Sequence, residues 1–253
     1  MTCLLKLYGE RNSGTNYMSR LIAANLVVRE IPGVVPRYIR PLIRLMPPGE
    51  TVRDLYFHLT FHRNLGWKHS EVRPASELRK YRLMRRGVRF VTVTKNPYSW
   101  LLSLYRRPYH QLGQRHPDFE TFLGSSWRTV GRDGCGRTLD NPIELWNRKN
   151  ASYLALSDFR WLPLTTEEML KDPERVIDKI GSRLDIPRRS SQFVNIQQST
   201  KDRSKSFSYY RKYYLEEEWR NDLSDRAIAI INRAVDPVLM RKFGYSMIRS
   251  GDD

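Results

Sequence analysis

The sequence predicts an α/β fold in which a central, mostly parallel sheet lies between two layers of helices. Strand-like and helix-like segments alternate along the chain, as they do in proteins built on parallel sheets. Two strand candidates, over 4–8 and 89–94, each lead through a polar loop into a helix. The 253 residues suit one full core. We therefore predict a single domain over 1–253, with irregular insertions near 32–55 and 107–142.

The two strand candidates and the helix after the second have the clearest local signals. Residues 4–8 are mostly apolar, and residues 89–94 are rich in β-branched side chains. Asn96 as N-cap and Pro97 at the first helical position predict a helix start. Weaker patterns predict an insertion or mobile loop over 32–48, a strand over 56–67, a short basic helix over 78–86, a helix over 144–156, a strand over 159–165, a helix from Pro173, a polar loop over 190–208 and a last helix over 225–235.

The chain is strongly basic. It holds 44 Lys and Arg against 27 Asp and Glu, for a net charge of +17. Self-repulsion of this size disfavours the compact state. The excess therefore indicates a polyanionic partner, with a merely basic surface as the alternative. Nucleic acid, an anionic membrane, an anionic glycan and a multiply phosphorylated nucleotide all fit, and charge alone does not separate them.

Cysteine usage and hydropathy favour a cytoplasmic protein. Cys3 and Cys135 are too few for a disulfide scaffold and lie outside any metal-ligand pattern, so we expect two free thiols and no metal site. No signal-like segment precedes the first strand, and no apolar run reaches the length of a membrane span.

A loop with two glycines lies between the first strand and the first helix. It reads Gly9-Glu10-Arg11-Asn12-Ser13-Gly14-Thr15, with the spacing G-x4-G-T. Glycines let backbone N–H groups converge, and a helix N-terminus adds about half a positive charge, so this context predicts a phosphate site. A nucleotide-hydrolysing P-loop has a lysine after its second glycine. Here Thr15 follows Gly14, and Asn16 does not restore the lysine, which indicates a P-loop-like fold with a different chemistry.

A cation ends the second predicted strand, where a Mg-dependent nucleotide hydrolase usually has an aspartate. Lys95 cannot hold Mg²⁺, but it can hold a phosphate. Ser99 and Ser103 are four residues apart on the following helix and hence share one face. Lys95 and Ser103 therefore predict a second phosphate site that is held from two sides.

Together the two motifs resemble those of sulfotransferases that use 3′-phosphoadenosine 5′-phosphosulfate (PAPS). That family has a 5′-phosphosulfate loop of the type G-x-x-[RK]-x-G-T and a 3′-phosphate motif of the type R-[DN]-P-x5-S, to which residues 9–16 and 95–103 are similar. Weaker similarities cover 164–174 and 240–245. The resemblance implies a three-layer P-loop-like fold and metal-independent transfer of a sulfuryl group from PAPS to a hydroxyl or amine, with release of PAP, the desulfated product.

The resemblance also implies roles for individual residues. It assigns donor binding to Arg11, Asn12, Ser13, Gly14, Thr15, Asn16, Lys95 and Ser103. Asn12 stands where the family has Lys or Arg, so Arg11 is our candidate for stabilising charge on the departing phosphate. Lys95 replaces the family's arginine, which keeps the charge but loses the bidentate fork.

Sulfuryl transfer also needs a base for the acceptor's proton. His69 lies between the two phosphate motifs, and a neutral histidine suits proton abstraction. His58 and His62 are rivals for this role, and Lys68 is a candidate for assisting the leaving group.

Two stretches of the last third are candidates for covering the donor. Lys201 and Arg203 lie in a basic loop and are candidate 3′-phosphate ligands, or else part of a solvated charge run. Aromatic and basic residues then alternate over 209–219, which predicts a helix that packs its aromatic face, or a stretch that stacks on sugar rings or bases. The aromatic residues are Tyr209, Tyr210, Tyr213, Tyr214 and Trp219.

The sequence gives weaker signals for the acceptor and for the functions that compete with sulfuryl transfer. We expect a carbohydrate or glycolipid acceptor, because Arg37, Arg40 and Arg44 suggest an anionic glycan or a lipid headgroup and hence peripheral membrane contact. A kinase-like phosphotransferase is one alternative, which the missing loop lysine and acidic strand end disfavour. A basic nucleic-acid-binding protein is another. The charge supports it, but no zinc, helix-turn-helix or RNA-sheet signature is present, so we expect no specific nucleic acid.

Overall fold

The computed structural model describes residues 3–45, 49–109, 116–198, 202 and 204–249. Its strands are β1 (Cys3–Gly9), β2 (Val28–Glu30), β3 (Arg89–Thr94), β4 (Trp127–Arg128), β5 (Thr138–Leu139) and β6 (Trp161–Thr165). Four of them form a parallel sheet in the order β2-β1-β3-β6, and β4 and β5 form a separate antiparallel pair. The predicted α/β fold with a mostly parallel central sheet is confirmed.

Helices connect the strands and cover the sheet. They are α1 (Thr15–Asn25), α2 (Arg40–Leu45), α3 (Gly49–Asn64), α4 (Ala75–Leu78), α5 (Pro97–Arg106), α6 (Phe119–Gly124), α7 (Pro142–Tyr153), α8 (Thr166–Lys171), α9 (Pro173–Leu184), α10 (Phe207–Leu215), α11 (Asp225–Ala234) and α12 (Pro237–Lys242). Within the described ranges, no helix combines the length and apolar character needed to cross a bilayer.

The alternation of side chains along β1 separates two hydrophobic clusters. Leu5 and Leu7 point to one face, where apolar residues of α1 and α9 pack on them. Leu4 and Tyr8 point to the other face, where they join a larger cluster that includes residues of α5, α7 and α11. Both faces of the sheet are therefore buried under helices, which gives the predicted three layers.

Parallel pairing places the carboxyl ends of the central strands at one edge of the sheet. Gly9 at the end of β1 is in register with Val93, and Thr94 at the end of β3 is in register with Thr165. The loops that follow β1, β3 and β6 therefore begin side by side. Ligands of open α/β sheets bind at this edge.

The prediction of a strand over 56–67 is wrong, because most of this segment belongs to helix α3. Its aromatic residues have high strand propensity. The buried positions Phe57, Phe61 and Asn64 nevertheless recur at spacings of four and three, so helical burial against the core outweighs local propensity.

Other boundaries also differ from the expectation. The predicted loop over 32–48 contains a 3₁₀ turn over Arg37–Ile39 and helix α2. The predicted basic helix over 78–86 is replaced by α4 and a 3₁₀ turn over Met84–Arg86. α11 is not the last helix, since α12 follows it. A proline at its first position starts α12, as it does in α5 and α9.

The close approach of β1 to β3 predicts that any side chain at Gly9 lowers the stability of the fold. A Cβ on Gly9 would lie 2.8 Å from the Val93 carbonyl oxygen and 2.7 Å from Thr15 Cγ2. We expect Gly9→Ala to lower the free energy of unfolding by about 1–3 kcal/mol through overpacking, as measured by urea denaturation. Gly124→Ala is the control, because a Cβ there meets nothing within 4 Å. Equal effects of the two substitutions would contradict the steric explanation.

Candidate functional site

The loop after β1 curls because two of its residues adopt left-handed backbone conformations. Asn12 has φ of 66° and Gly14 has φ of 82°. Asparagine is among the few residues other than glycine that tolerate this region, so Asn12 suits this position of the loop. Gly14 is also the N-cap of α1 and supplies no side-chain cap. The first-turn N–H groups of α1 therefore stay available for an anion.

The predicted loop residues lie in different environments. Arg11 stacks on Tyr109, with its guanidinium carbon 4.4 Å from the ring centroid, and it lines a cleft of about 430 Å³ at the sheet edge. Asn12, Gly14, Thr15 and Asn16 line the same cleft. The Ser13 hydroxyl is buried and donates to the Glu10 carbonyl oxygen at 2.6 Å, so it stabilises the loop and is not among the cleft-lining residues.

A buried ion cluster supports this loop from below. The Glu10 carboxylate accepts from the Arg11 backbone N–H at 2.5 Å and from the Tyr109 hydroxyl at 2.7 Å. Its other oxygen lies 3.5 Å from Lys149 Nζ. Lys149 also donates to Asp133 at 2.7 Å and to the His69 carbonyl oxygen. Sequence reasoning did not find this cluster, because its members are far apart in the chain and lack a local pattern.

Charge balance in the cluster keeps Lys149 protonated. Burial lowers the pKa of Lys149, but Asp133 and Glu10 outweigh it and raise that pKa above its ordinary value. Burial raises the pKa of Glu10, and the charge of Lys149 opposes that change. Lys149 is thus a fixed cation that joins the phosphate loop to the segment carrying His69.

His69 lies against the end of β1 as a neutral imidazole. Its Nδ1 is 2.5 Å from the Gly9 carbonyl oxygen. A carbonyl oxygen only accepts, so Nδ1 carries the hydrogen and Nε2 keeps its lone pair. Burial, with the charge of Lys68 as the next cause, holds the pKa of His69 well below its ordinary value. His69 lines the cleft, whereas His58 and His62 lie exposed on α3 and are not among the cleft-lining residues.

Lys68 joins the histidine segment to the phosphate loop. Its Nζ donates to Asn16 Oδ1 at 2.5 Å, and its carbonyl oxygen accepts from the Gly9 N–H at 2.9 Å. Lys68 lines the main cleft and also a second pocket beside it, which Arg20 and Glu30 line as well. A cation is therefore placed next to the neutral base and the loop amides.

Lys95 and Ser103 meet as predicted, but an aromatic ring covers the lysine. Lys95 Nζ donates to Ser103 Oγ at 2.8 Å and lies 3.9 Å from the centroid of Tyr214. Ser103 lines the cleft, whereas the buried Lys95 does not. Asn12 Nδ2 donates to the Ser103 carbonyl oxygen at 3.3 Å, so the two phosphate motifs touch.

Aromatic residues of the segment after residue 206 form one wall of the cleft. The sequence left open whether this segment packs its aromatic face or stacks on a ligand. The helix predicted within 209–219 exists as α10, and it has no buried residue of its own. Its cleft-lining residues are Phe207, Tyr209, Tyr210, Tyr213 and Tyr214. Phe207 stacks on Tyr17 with 5.8 Å between ring centroids. Tyr17 directly follows the phosphate loop, a position that could have marked it. Lys201 and Arg203 lie outside the described residues.

Comparison with known proteins identifies the fold. No family model matches the sequence, and no curated protein matches it. A solved sulfotransferase domain from the curacin biosynthetic pathway is similar, with a TM-score of 0.52, 11% identity and coverage of 98% of this chain and 99% of that one. Mouse sulfotransferase SULT7A1, solved with PAP, gives a TM-score of 0.36, 16% identity and coverage of 95% and 81%. The curacin-pathway likeness confirms the expected resemblance to sulfotransferases at the level of the fold.

Among the described residues, no group of three His, Cys, Asp or Glu side chains could hold a metal ion.

The environment of His69 predicts its titration. Because burial and Lys68 lower its pKa, His69 should stay neutral, with the hydrogen on Nδ1, as the pH falls well below the ordinary value of about 6.5. Histidine side-chain NMR should show this, with His69→Asn used to assign the signal. Lys68→Met should raise the titration midpoint of His69. A midpoint at the ordinary value, unchanged in Lys68→Met, would contradict the structure.

The buried ion cluster predicts a large loss of stability when its cation is removed. Lys149→Met leaves Glu10 and Asp133 buried without their counter-charge, and we expect it to lower the free energy of unfolding by about 3–5 kcal/mol. Lys179→Met is the matched control. It breaks a half-exposed pair with Glu168 and should cost less than about 1 kcal/mol. Urea denaturation followed by tryptophan fluorescence measures the free energy of unfolding of both variants. Similar losses would show that the buried cluster contributes no more stability than an exposed ion pair.

Proposed function

We propose that this protein is an enzyme that transfers a sulfuryl group from PAPS to a hydroxyl or amine of an acceptor and releases PAP. The observation that carries the proposal is the meeting of three elements at one cleft. These are the lysine-free phosphate loop after β1, the Lys95–Ser103 pair after β3, and the Lys68–His69 segment. A donor with phosphate groups on both the 3′ and the 5′ position of its ribose needs two separate anion sites, and this cleft offers two.

Each part of the donor has a candidate binding group. We assign the 5′-phosphosulfate to Arg11 and the uncapped amides of α1, because Arg11, Thr15 and Asn16 all line the cleft. The 3′-phosphate fits at Ser103, with Lys95 directly behind it supplying positive charge. Stacked Tyr17 and Phe207 offer a ring surface for adenine. A volume of about 430 Å³ is within the ordinary range of ligand pockets.

The transfer itself needs one proton acceptor and stabilisation of the leaving group. The bond between the sulfur and the bridging phosphate oxygen breaks while a bond from sulfur to the acceptor oxygen or nitrogen forms. His69 Nε2 takes the acceptor's proton, which its neutral state permits. The charge that develops on the departing phosphate is stabilised by the loop amides and by Arg11, with Lys68 assisting.

The remaining assignments belong to the proposal as well. We propose a carbohydrate or glycolipid acceptor, because a net charge of +17 suits an anionic molecule or surface. We propose a cytoplasmic location, for which the free thiols of Cys3 and Cys135 are the supporting observation.

Ligand-induced stabilisation tests the donor site. PAP at about a hundred times its dissociation constant should add about 2.7 kcal/mol to the free energy of unfolding, without added metal. Lys95→Met should lose most of this gain, while Lys171→Met, which removes an exposed lysine of α8, should keep it. Chemical denaturation with and without PAP measures the effect.

Two outcomes would contradict the proposed donor. One is stabilisation by ATP with Mg²⁺ and none by PAP, which would replace the sulfotransferase with a kinase-like phosphotransferase. The other is an equal response of Lys95→Met and Lys171→Met to PAP, which would place the nucleotide elsewhere.

A further inference from the structure

Exposed apolar side chains are concentrated in the segment that leads from β2 into α3. Of the eleven large apolar residues that are exposed in the described chain, six lie between residues 34 and 59. Tyr38 and Leu45 are 75% and 78% exposed, which is far more than a folded chain usually leaves open in one short segment. The six are Val34, Tyr38, Leu42, Leu45, Leu55 and Leu59.

Helical spacing aligns these residues on the outer sides of two packed helices. Tyr38, Leu42 and Leu45 are separated by four and three residues, so they share one side of the 3₁₀ turn and α2. α2 packs on α3, with Ile43 against Gly49. Leu55 and Leu59 are four residues apart on α3, on the side opposite the buried Phe57 and Phe61.

Three arginines lie on the same turn and helix, spaced by three and four residues on the side away from Tyr38, Leu42 and Leu45. Arg37, Arg40 and Arg44 are all exposed. Among the described residues, no carboxylate forms an ion pair with any of them, although many other arginines of this chain are paired. The arginine charge on this surface is therefore not neutralised within the described chain.

We propose that this surface, the arginine–leucine face (Val34, Tyr38, Leu42, Leu45, Leu55 and Leu59 with Arg37, Arg40 and Arg44), docks on an anionic lipid bilayer. Helices with exposed leucine and aromatic residues on one side and arginines on the other lie in the headgroup region, where the apolar side chains are buried and the cations meet anionic headgroups. A second copy of this chain is a poorer occupant, because symmetric pairing would bring two sets of unpaired arginines together.

The position of the face relates docking to the cleft. Val34 lines both the main cleft and the second pocket, and Lys68 lies on the same two surfaces. A protein docked through Val34 therefore has that edge of its cleft near the lipid headgroups. If the proposed sulfuryl transfer holds, the acceptor is a membrane lipid or a lipid-linked sugar, and this consequence alone rests on the proposed function.

Vesicle binding tests the docking directly. The whole chain is sedimented with vesicles of phosphatidylcholine alone or of phosphatidylcholine with 30% phosphatidylglycerol. We expect binding to the anionic vesicles only, weakened by salt. Arg40→Gln with Arg44→Gln should weaken binding about thirtyfold, from the usual contribution of two basic residues near an anionic surface. Leu42→Ser with Leu45→Ser should weaken it about tenfold or more.

A matched control distinguishes the effect of arginines on this face from the effect of the overall charge of the chain. Arg233→Gln with Arg241→Gln removes two exposed arginines from α11 and α12 and should change binding less than about threefold. All altered positions are exposed, so unchanged circular dichroism melting should show that the variants fold.

Three results would overturn the proposal. These are absent or equal binding to both kinds of vesicle, an equal loss in the Arg233/Arg241 control, and a dimer in sedimentation velocity that the Leu42/Leu45 variant dissociates. The assay uses neither PAPS nor sulfuryl transfer. Failure of docking therefore leaves the proposed function standing, and failure of PAP binding leaves the docking proposal standing.

Discussion

The buried ammonium group of Lys149 is the constraint on which the site depends. It lies between the carboxylates of Glu10 and Asp133 and also donates to the His69 carbonyl oxygen. Through Glu10 it supports the backbone of the phosphate loop, and through the His69 carbonyl oxygen it holds the adjacent Lys68–His69 segment. Burying three charges is costly unless each is paired. If the phosphate loop or the His69 segment moved, one of these charges would lose its partner. The loop and the base are thus kept in one fixed relation.

Above this cluster, the cleft collects cations and keeps carboxylates out. Arg11 and Lys68 line it, and Lys95 lies directly behind Ser103. None of the described Asp and Glu residues lines the cleft. Glu10 points into the core, and Glu167 is buried with its carboxylate accepting from the Tyr245 hydroxyl at 2.7 Å. An anionic ligand is therefore attracted without an opposing charge. The arrangement suits a donor whose leaving group gains negative charge as the bond breaks.

Local chemistry explains which parts of the site could be predicted from sequence. The bounds of β3 and α5, the loop after β1 and the Lys95–Ser103 contact follow from neighbouring residues, such as the Asn96 cap before Pro97. α3 could not be predicted, because its helical burial pattern competes with aromatic strand propensity. The partners of Glu10 and the Tyr214 ring over Lys95 are set by tertiary packing. No sequence spacing encodes contacts made across more than a hundred residues of chain.

The aromatic wall of the cleft and the segment that carries the base differ in construction. On one side, α10 contributes five aromatic side chains to the wall, buries none of its own residues fully, and packs on α8. On the other side, Trp67 precedes the Lys68–His69 segment, and the Arg132 guanidinium carbon lies 4.6 Å from its ring centroid. Arg132 is itself 8% exposed and pairs with Asp54 of α3 at 2.6 Å. The base is therefore tied to α3, while the aromatic wall rests on α8 and on the hydrogen bond from Arg106 to the Tyr213 hydroxyl. Proton transfer needs a base that does not move, and the contacts from Trp67 through Arg132 to α3 meet that need.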